Sequence, residues 1–404
     1  MLQRIKQLLQ STALYRLYLR LVKRYRFWVQ DRQYPAIYRR AAKQPVDENK
    51  ILFFESSRPV LSNSFSVMFD RLQKNGYDLR CHYLLHTTAS RREQRKRCRV
   101  FFRDLATARV LFLDEGTDLL SHIPIRPETK VVQLWHGCGA FKKFGRSTAE
   151  KQFGASGDYM DTHPFHSHYS LVTVSSPDVV WAYEEAMDYS HDSGVVQPTG
   201  ISRTDVFFDE AFPARAKHAV QAAVPQSKGR KIILYAPTFR GEIMDARAPD
   251  KLDLSALCKA LGDRYVLLLK QHPHVKHRPA IPVDCADFAF DVTDALSIED
   301  LLCAADLCIS DYSSLIFEYS LFERPMLFFA YDLEDYFDVR GFYYDYDALT
   351  PGPVLRTSEE VLDALEHIDT RFDVQQIRAF KERFMSACDG KATERIARFC
   401  GLTV

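Results

Sequence analysis

From Lys50 onward this chain repeats one unit: a short apolar run that stops abruptly at polar or turn-forming residues, followed by a helix-patterned stretch. ILFFES (51–56), LRCHYLLH (79–86), RVLFLDE (109–115), KVVQLWHG (130–137) and YSLVTVSS (169–176) are such runs. Continuous apolar runs of this length suit strands buried on both faces. A helical stretch around Ser66–Lys74 and the turn signal Asn75-Gly76 separate the first two. The second half repeats the pattern with KIILYAPT (231–238), RYVLLLKQH (264–272), DLCISD (306–311) and RPMLFFA (324–330). Its connecting helices are expected at 253–262, 297–305 and 313–322. Strands alternating with helices imply parallel α/β sheets. Two Rossmann-like domains facing a cleft are expected, at 46–215 and 226–404, with ligands beyond the carboxyl ends of the strands. The stretch from Ala211 to Gly229, with Pro213 and Pro225, reads as the linker.

Residues 1–45 stand apart as basic amphipathic helices. The first forty hold ten Lys/Arg and one acid, Asp31. Leu14, Leu17, Leu21, Tyr25 and Trp28 recur at helical spacing, with Arg16, Arg20, Lys23 and Arg24 on much of the other face. Such a helix suits an anionic membrane surface; packing on its own domain is the competing reading. The run RREQRKRCR (91–99) fits a solvated helix face or a membrane patch equally well.

Composition excludes several classes. A net charge of +1 on 404 residues is not that of a nucleic-acid binder. The 9 cysteines are scattered without a CxxC pair, which argues against a disulfide framework and for a reducing cytosol. No 18-residue apolar run and no signal-peptide core occur, so the chain is expected at the cytoplasmic face of a membrane, peripherally.

Polar residues at the strand ends concentrate the chemistry. Leu134-Trp135-His136-Gly137 delivers a histidine into a glycine turn, and imidazole accepts a proton near neutral pH. Gly137, Lys142 and Lys143 beside it are acceptor-side candidates. Ala236-Pro237-Thr238-Phe239-Arg240 presents a hydroxyl and a guanidinium, a phosphate-binding pair. Lys270, His272 and His274 make a cationic strand exit; with His277 they can also be read as a metal site, a weaker reading because no thiolate or carboxylate stands beside them. Ser310-Asp311-Tyr312-Ser313-Ser314 opens a helix, where free N–H groups favour anions, and Glu318 lies one turn on, within reach of a ribose hydroxyl. His163, His166 and His168 read as a polar loop that touches the acceptor, and DLEDYFD (332–338) as a loop. The second half thus offers a nucleoside diphosphate site and the first a base, the layout of a transferase. No cofactor is certain; Mg²⁺ is compatible with the site.

In this order the motifs resemble the CDP-glycerol glycerophosphotransferase family of teichoic-acid and capsule biosynthesis. The segments that carry the resemblance are LWHG (134–137), PTGISRTDVFF (198–208), YAPTFRG (235–241), LLLKQHPH (267–274), the stretch 297–336, RGFYYDYDALTPGP (340–353) and DGKATER (389–395). The resemblance implies a GT-B-like fold and peripheral attachment to the inner face of a bacterial membrane. It implies His136 as general base and Thr238, Arg240, His272, Asp311, Ser313, Ser314 and Glu318 as donor ligands. The implied donor is CDP-glycerol or CDP-ribitol, glycerol first, and the acceptor a lipid-linked or polymeric saccharide. Many members read Thr-Pro-Leu-Lys-Lys after the WHG motif, where this chain has Cys138-Gly139-Ala140-Phe141-Lys142-Lys143. A nucleotide-sugar glycosyltransferase and a non-catalytic, nucleotide-binding membrane scaffold are the alternatives.

Overall fold

The computed structural model describes residues 17, 21–22, 24–25, 27–56, 58–84, 90–149, 157–162, 164–241 and 245–404, the side chains at 159 and 337–340 excepted. Leu14, Arg16, Arg20 and Lys23 of the basic stripe, residues 85–86 of the second apolar run and His163 lie outside the described residues. The chain divides into two compact units. One comprises Met1–Trp135, Met160–Val172 and Val404, the other His136–Tyr159 and Thr173–Thr403.

Two six-stranded parallel sheets form the framework. The first contains β1 (Asp47–Glu55), β2 (Asp78–Tyr83), β3 (Ala108–Leu113), β4 (Lys130–Gln133), β5 (Leu171–Thr173) and β6 (Val196–Gln197), in the order β2-β1-β3-β4-β5-β6. The second contains β7 (Lys231–Tyr235), β8 (Tyr265–Leu269), β9 (Ala289–Asp291), β10 (Leu307–Ser310), β11 (Met326–Phe329) and β12 (Val354–Leu355), in the order β12-β11-β10-β7-β8-β9. The apolar runs hold the strands; β3, β8, β10 and β11 are buried along nearly their whole length, as sheets covered on both faces require, while the edge strand β2 is largely half-buried.

In the first unit, Phe53 packs on Phe112 of the neighbouring strand, with ring centroids 5.3 Å apart, and on Phe65 of the helix Asn63–Lys74. The basic run 91–99 lies on the helix Arg91–Leu105, capped by Ser90 Oγ, which accepts from Glu93 N at 3.2 Å. Cys98, Phe101, Phe102 and Leu105 form its buried stripe. The helix Tyr34–Ala41 also turns inward: Tyr34 packs on Phe102 at 4.8 Å, and Tyr38 Oη accepts from Arg126 N at 3.0 Å. This part of the basic segment packs on its own unit. Leu17, Leu21, Tyr25 and Trp28 remain 47–56% exposed.

In the second unit, β7, β8, β10 and β11 share one core with Leu257, Leu261, Val361 and Leu365 from the helices that cover them. Two expectations change here. The stretch expected as a linker is the helix Phe212–Ala223, which buries Phe212, Ala216 and Val220. Pro213 stands in its first turn, where no N–H is needed. The stretch read as a loop at 332–338 is mostly the helix Leu333–Arg340, with Glu334 and Asp335 in its first turn, where carboxylates are favourable.

The C-terminal helix Ala392–Phe399 has no side-chain cap of its own. Instead buried Asp205 accepts from Ala392 N at 3.1 Å and Thr393 N at 2.8 Å, bonds spanning almost two hundred residues of chain. Asp205→Ala should strand both amides and cost roughly 2 kcal/mol. Urea denaturation checks this, and an unchanged midpoint would refute the cap.

Candidate active site

The second sheet reverses its winding between β7 and β10. The chain leaves β7 toward β8 and β9, then returns to build β10, β11 and β12 on the other side. Ligands of such sheets bind at this reversal, beyond the strand carboxyl ends. The turns leaving β7 and β10 carry the Thr238–Arg240 and Asp311–Ser314 motifs, and they are bonded together. Ala236 N donates to Ile309 O at 3.0 Å, and Ser310 Oγ donates to Ala236 O at 2.9 Å. Asp311, buried to 2% exposure, accepts at Oδ1 from Thr238 N (2.8 Å) and Tyr312 N (2.6 Å).

Arg240 is held on the protein side of this turn. Its Nη1 lies 3.0 Å from Asp311 Oδ2 and also donates to Thr238 O, while its Nη2 donates to Asp332 Oδ1 at 2.8 Å. Its Cζ stands 5.1–5.4 Å from the ring centroids of Tyr312, Tyr331 and Tyr336. Burial works to lower the guanidinium pKa, but Asp311 and Asp332 outweigh it and hold it above the ordinary value. Most of its donors are therefore spent on ordering the two turns. Thr238 Oγ1 is different. It is buried and has no hydrogen-bond partner among the described residues.

Lys270, at the exit of β8, also points into the protein, its Nζ donating to Thr293 O and Leu296 O at 2.7 and 2.5 Å. Burial depresses its pKa. His272 and His274 stack at 4.7 Å, His272 Nδ1 accepts from His274 N at 3.2 Å, and Phe239 lies 4.9 Å from the His272 ring. The two imidazoles thus sit on the residue next to Thr238.

The helix after Ser314 is short, Leu315–Tyr319, and Ser314 makes no side-chain cap bond; Ser313 Oγ accepts from Leu315 N at 3.4 Å. Glu318 is buried to 2% and forms an ion pair with Arg203, so its carboxylate is engaged within the protein.

His136 reaches this region through a tightly seated loop. Its side chain is exposed, and the residues after it are buried. A Cβ at Gly137 would lie 3.3 Å from Ser314 Oγ, so the WHG backbone rests directly on the Asp311–Ser314 turn. Gly139, at φ +63°, abuts the Phe317 ring, leaving no room for a side chain. Beyond it, Lys142 pairs with Phe342 in an antiparallel bridge, Lys143 N donates to Gly341 O at 3.0 Å, and Lys142 Nζ donates to Tyr336 Oη at 3.4 Å. His136, Gly137, Lys142, Lys143 and the donor-side candidates thus lie in the second unit, whereas His166 and His168 of the histidine-rich loop lie in the first. Sequence reading missed Arg203, Asp332, Tyr312 and Tyr336; the only signal was their place inside PTGISRTDVFF and the stretch 297–336.

This geometry, with polar turns bonded together at the reversal of a parallel sheet, is the usual place for a ligand in such a fold. Residues 36–401 match the family model described as CDP-Glycerol:Poly(glycerophosphate) glycerophosphotransferase. The chain belongs to that family and is a polyol-phosphate transferase. It is 36% identical over 375 residues to the teichoic acid ribitol-phosphate primase of Bacillus spizizenii, covering 89% of this chain and 92% of that one. It is 30% identical over 292 residues to the teichoic acid glycerol-phosphate primase of Bacillus subtilis, covering 72% and 73%. A solved structure of the wall teichoic acid polymerase TagF shares the fold, with TM-score 0.76 and 23% identity over 96% of this chain and 97% of that one.

Arg240→Lys should expose the dependence of the two turns on a planar fork. An ammonium cannot serve Asp311 and Asp332 together, and one buried carboxylate is left short of partners. A loss of roughly 2 kcal/mol is expected, read by denaturant titration. Stability equal to the parent's would mean that the guanidinium is not what orders the turns.

Proposed function

We propose that this enzyme transfers ribitol phosphate from CDP-ribitol to a hydroxyl of a lipid-linked or polymeric saccharide in teichoic-acid or related envelope polymer synthesis, with His136 as general base. The observation that carries the reading is the contact of Gly137 with Ser314, which sets His136 beside the turn at the reversal of the second sheet. The ribitol choice rests on the stronger similarity to a ribitol-phosphate enzyme, 36% over 89% of the chain against 30% over 72% for the glycerol-phosphate primase. This departs from the glycerol-first reading of the motifs.

His136 takes the proton of the acceptor hydroxyl. The oxygen forms a bond to the polyol-bearing phosphorus as the bond to the bridging oxygen breaks. CMP leaves with that oxygen, and the product is a phosphodiester. Catalysis of this kind rests on positioning and on stabilising phosphate oxygens. Thr238 Oγ1, the His272–His274 pair and the Ser313–Ser314 turn are the donor contacts in this reading, with Asp311, Arg240 and Lys270 holding them in place. Glu318 acts on the site through Arg203. Exposed Leu17, Leu21, Tyr25 and Trp28, in a segment rich in Lys and Arg, support peripheral attachment to an anionic membrane surface.

CMP release from CDP-ribitol, measured with a membrane lipid extract as acceptor source, should exceed release from CDP-glycerol. Faster turnover of CDP-glycerol would reverse the donor assignment. His136→Ala should lower turnover by ~10²–10⁴-fold; a folded variant near the parental rate sinks the base. Thr238→Val separates donor binding from folding. It removes a buried hydroxyl that lacks a protein partner, so the unliganded protein should melt at an equal or higher temperature while the CDP-donor KM rises about threefold to tenfold. An unchanged KM would remove Thr238 from the donor site.

A further inference from the structure

We infer that Gln133, together with Tyr169 and His166, forms a bracket that holds Trp135 in a left-handed turn and thereby aims His136, which makes Gln133 a positioning residue of the reaction. The inference rests on the reading of His136 as the base.

Strand β4 ends at Gln133, whose side chain is completely buried. It turns back along its own chain. Oε1 accepts from Trp135 N at 3.0 Å, and Nε2 donates to Glu115 O and Tyr169 Oη, both at 3.1 Å. The backbone that Oε1 ties down is unusual. Trp135 has φ +58°, a region that an L-residue with a bulky side chain rarely enters. That conformation is unfavourable for an L-residue and persists only where the surroundings enforce it.

A second edge of the bracket comes from the histidine-rich loop that the transfer reading leaves without a task. His166 Nδ1 lies 3.2 Å from Tyr169 Oη, the same hydroxyl that Gln133 uses. The His166 ring stands 5.9 Å from the Trp135 ring and so close to Gly116 that a Cβ there would come within 2.7 Å of it. Thr117 N, next in the chain, donates to Phe165 O at 2.9 Å. The 115–117 turn, the 165–169 loop and the end of β4 are thereby joined around one glutamine.

The turn has a directional consequence. Leu134 still follows the sheet, its N donating to Leu113 O at 2.7 Å. One left-handed residue later His136 is exposed, and Gly137 is buried again. A single residue therefore lifts the imidazole out of a strand end that is otherwise covered. A fully buried amide spent on the backbone immediately before the candidate base, rather than on the sheet, is the arrangement expected where direction matters to about an ångström.

The test compares kcat and donor KM in the full-length enzyme, by CMP release at saturating acceptor extract. Gln133→Met keeps the volume and removes both hydrogen-bonding ends. We expect kcat to fall roughly ten- to a hundredfold, with the CDP-polyol KM within about twofold of the parent. Adding Trp135→Asn, a residue that tolerates the left-handed region, should recover at least about threefold of that loss, which a purely structural defect would not do. If Gln133→Met does not fold, Tyr169→Phe removes only the shared hydroxyl and should lower kcat about threefold or more. A folded Gln133→Met or Tyr169→Phe enzyme with parental kcat overturns the inference, as does a loss in which KM rises in step. His136→Ala run in parallel separates the two ideas: an active His136→Ala enzyme defeats the base, whereas an inactive one beside fully active bracket variants defeats only the bracket.

Discussion

One buried carboxylate organises the ligand-side edge of the second sheet. Asp311 is taken from water and repaid by two backbone N–H groups and a guanidinium, the condition under which a buried charge is tolerated. Through Thr238 N it fixes the turn leaving β7, through Tyr312 N the turn leaving β10, and through Arg240 it recruits Asp332. Asp332 in turn accepts from Tyr312 Oη at 2.9 Å, and Tyr312 stacks on Tyr336 at 4.0 Å. Tyr336 then meets Lys142 of the loop that carries His136. The histidine motif and the donor-side motifs thus share one continuous set of contacts, although the sequence places them a hundred residues and more apart.

The same network turns two of the candidate cations toward the protein. Arg240 and Lys270 looked like the source of positive potential, yet one faces two aspartates and the other two carbonyls. A guanidinium between two carboxylates does not leave a positive centre; together the three groups are anionic by one charge. In the proposed reading, recognition of the diphosphate falls to hydroxyls, imidazoles and backbone amides placed by those buried ions, with Thr238 Oγ1 the clearest candidate. Small uncharged donors need exact placement more than Arg or Lys does, which gives a physical reason for investing so many buried ion pairs in two short turns.

Much of this was legible in the sequence. The apolar runs read as strands each hold a strand, because a strand buried on both faces leaves few polar positions to blur the pattern. The strands β6, β9 and β12 were not legible: two or three residues carry no period. The helix Phe212–Ala223 was hidden by Pro213, which reads as a breaker until its place in the first turn is known. The motifs marked turns that the fold bonds together, but not which way each charge points. Glu318 finds Arg203 and Asp332 finds Arg240 across about a hundred residues of chain, and no local pattern records such a pairing.

The loop after His136 departs from the Thr-Pro-Leu-Lys-Lys pattern given above with the family resemblance, and the backbone shows what the difference does. A proline two residues beyond the WHG motif would hold φ near −65°. Gly139 instead sits at φ +63° against the face of Phe317, its N donating to Ser175 Oγ at 2.9 Å. Proline has neither that conformation nor that donor. Tyr183 Oη donates to Gly139 O at 3.0 Å, and Gly145, at φ +53°, approaches Ala186 O too closely for a side chain. This chain therefore anchors the segment by glycines pressed onto a packed core, where a proline would stiffen the segment itself. The segment that follows His136 is thus seated on Phe317 and Ser175, and in the proposed reading the candidate base takes its place from the fold rather than from the rigidity of its own loop.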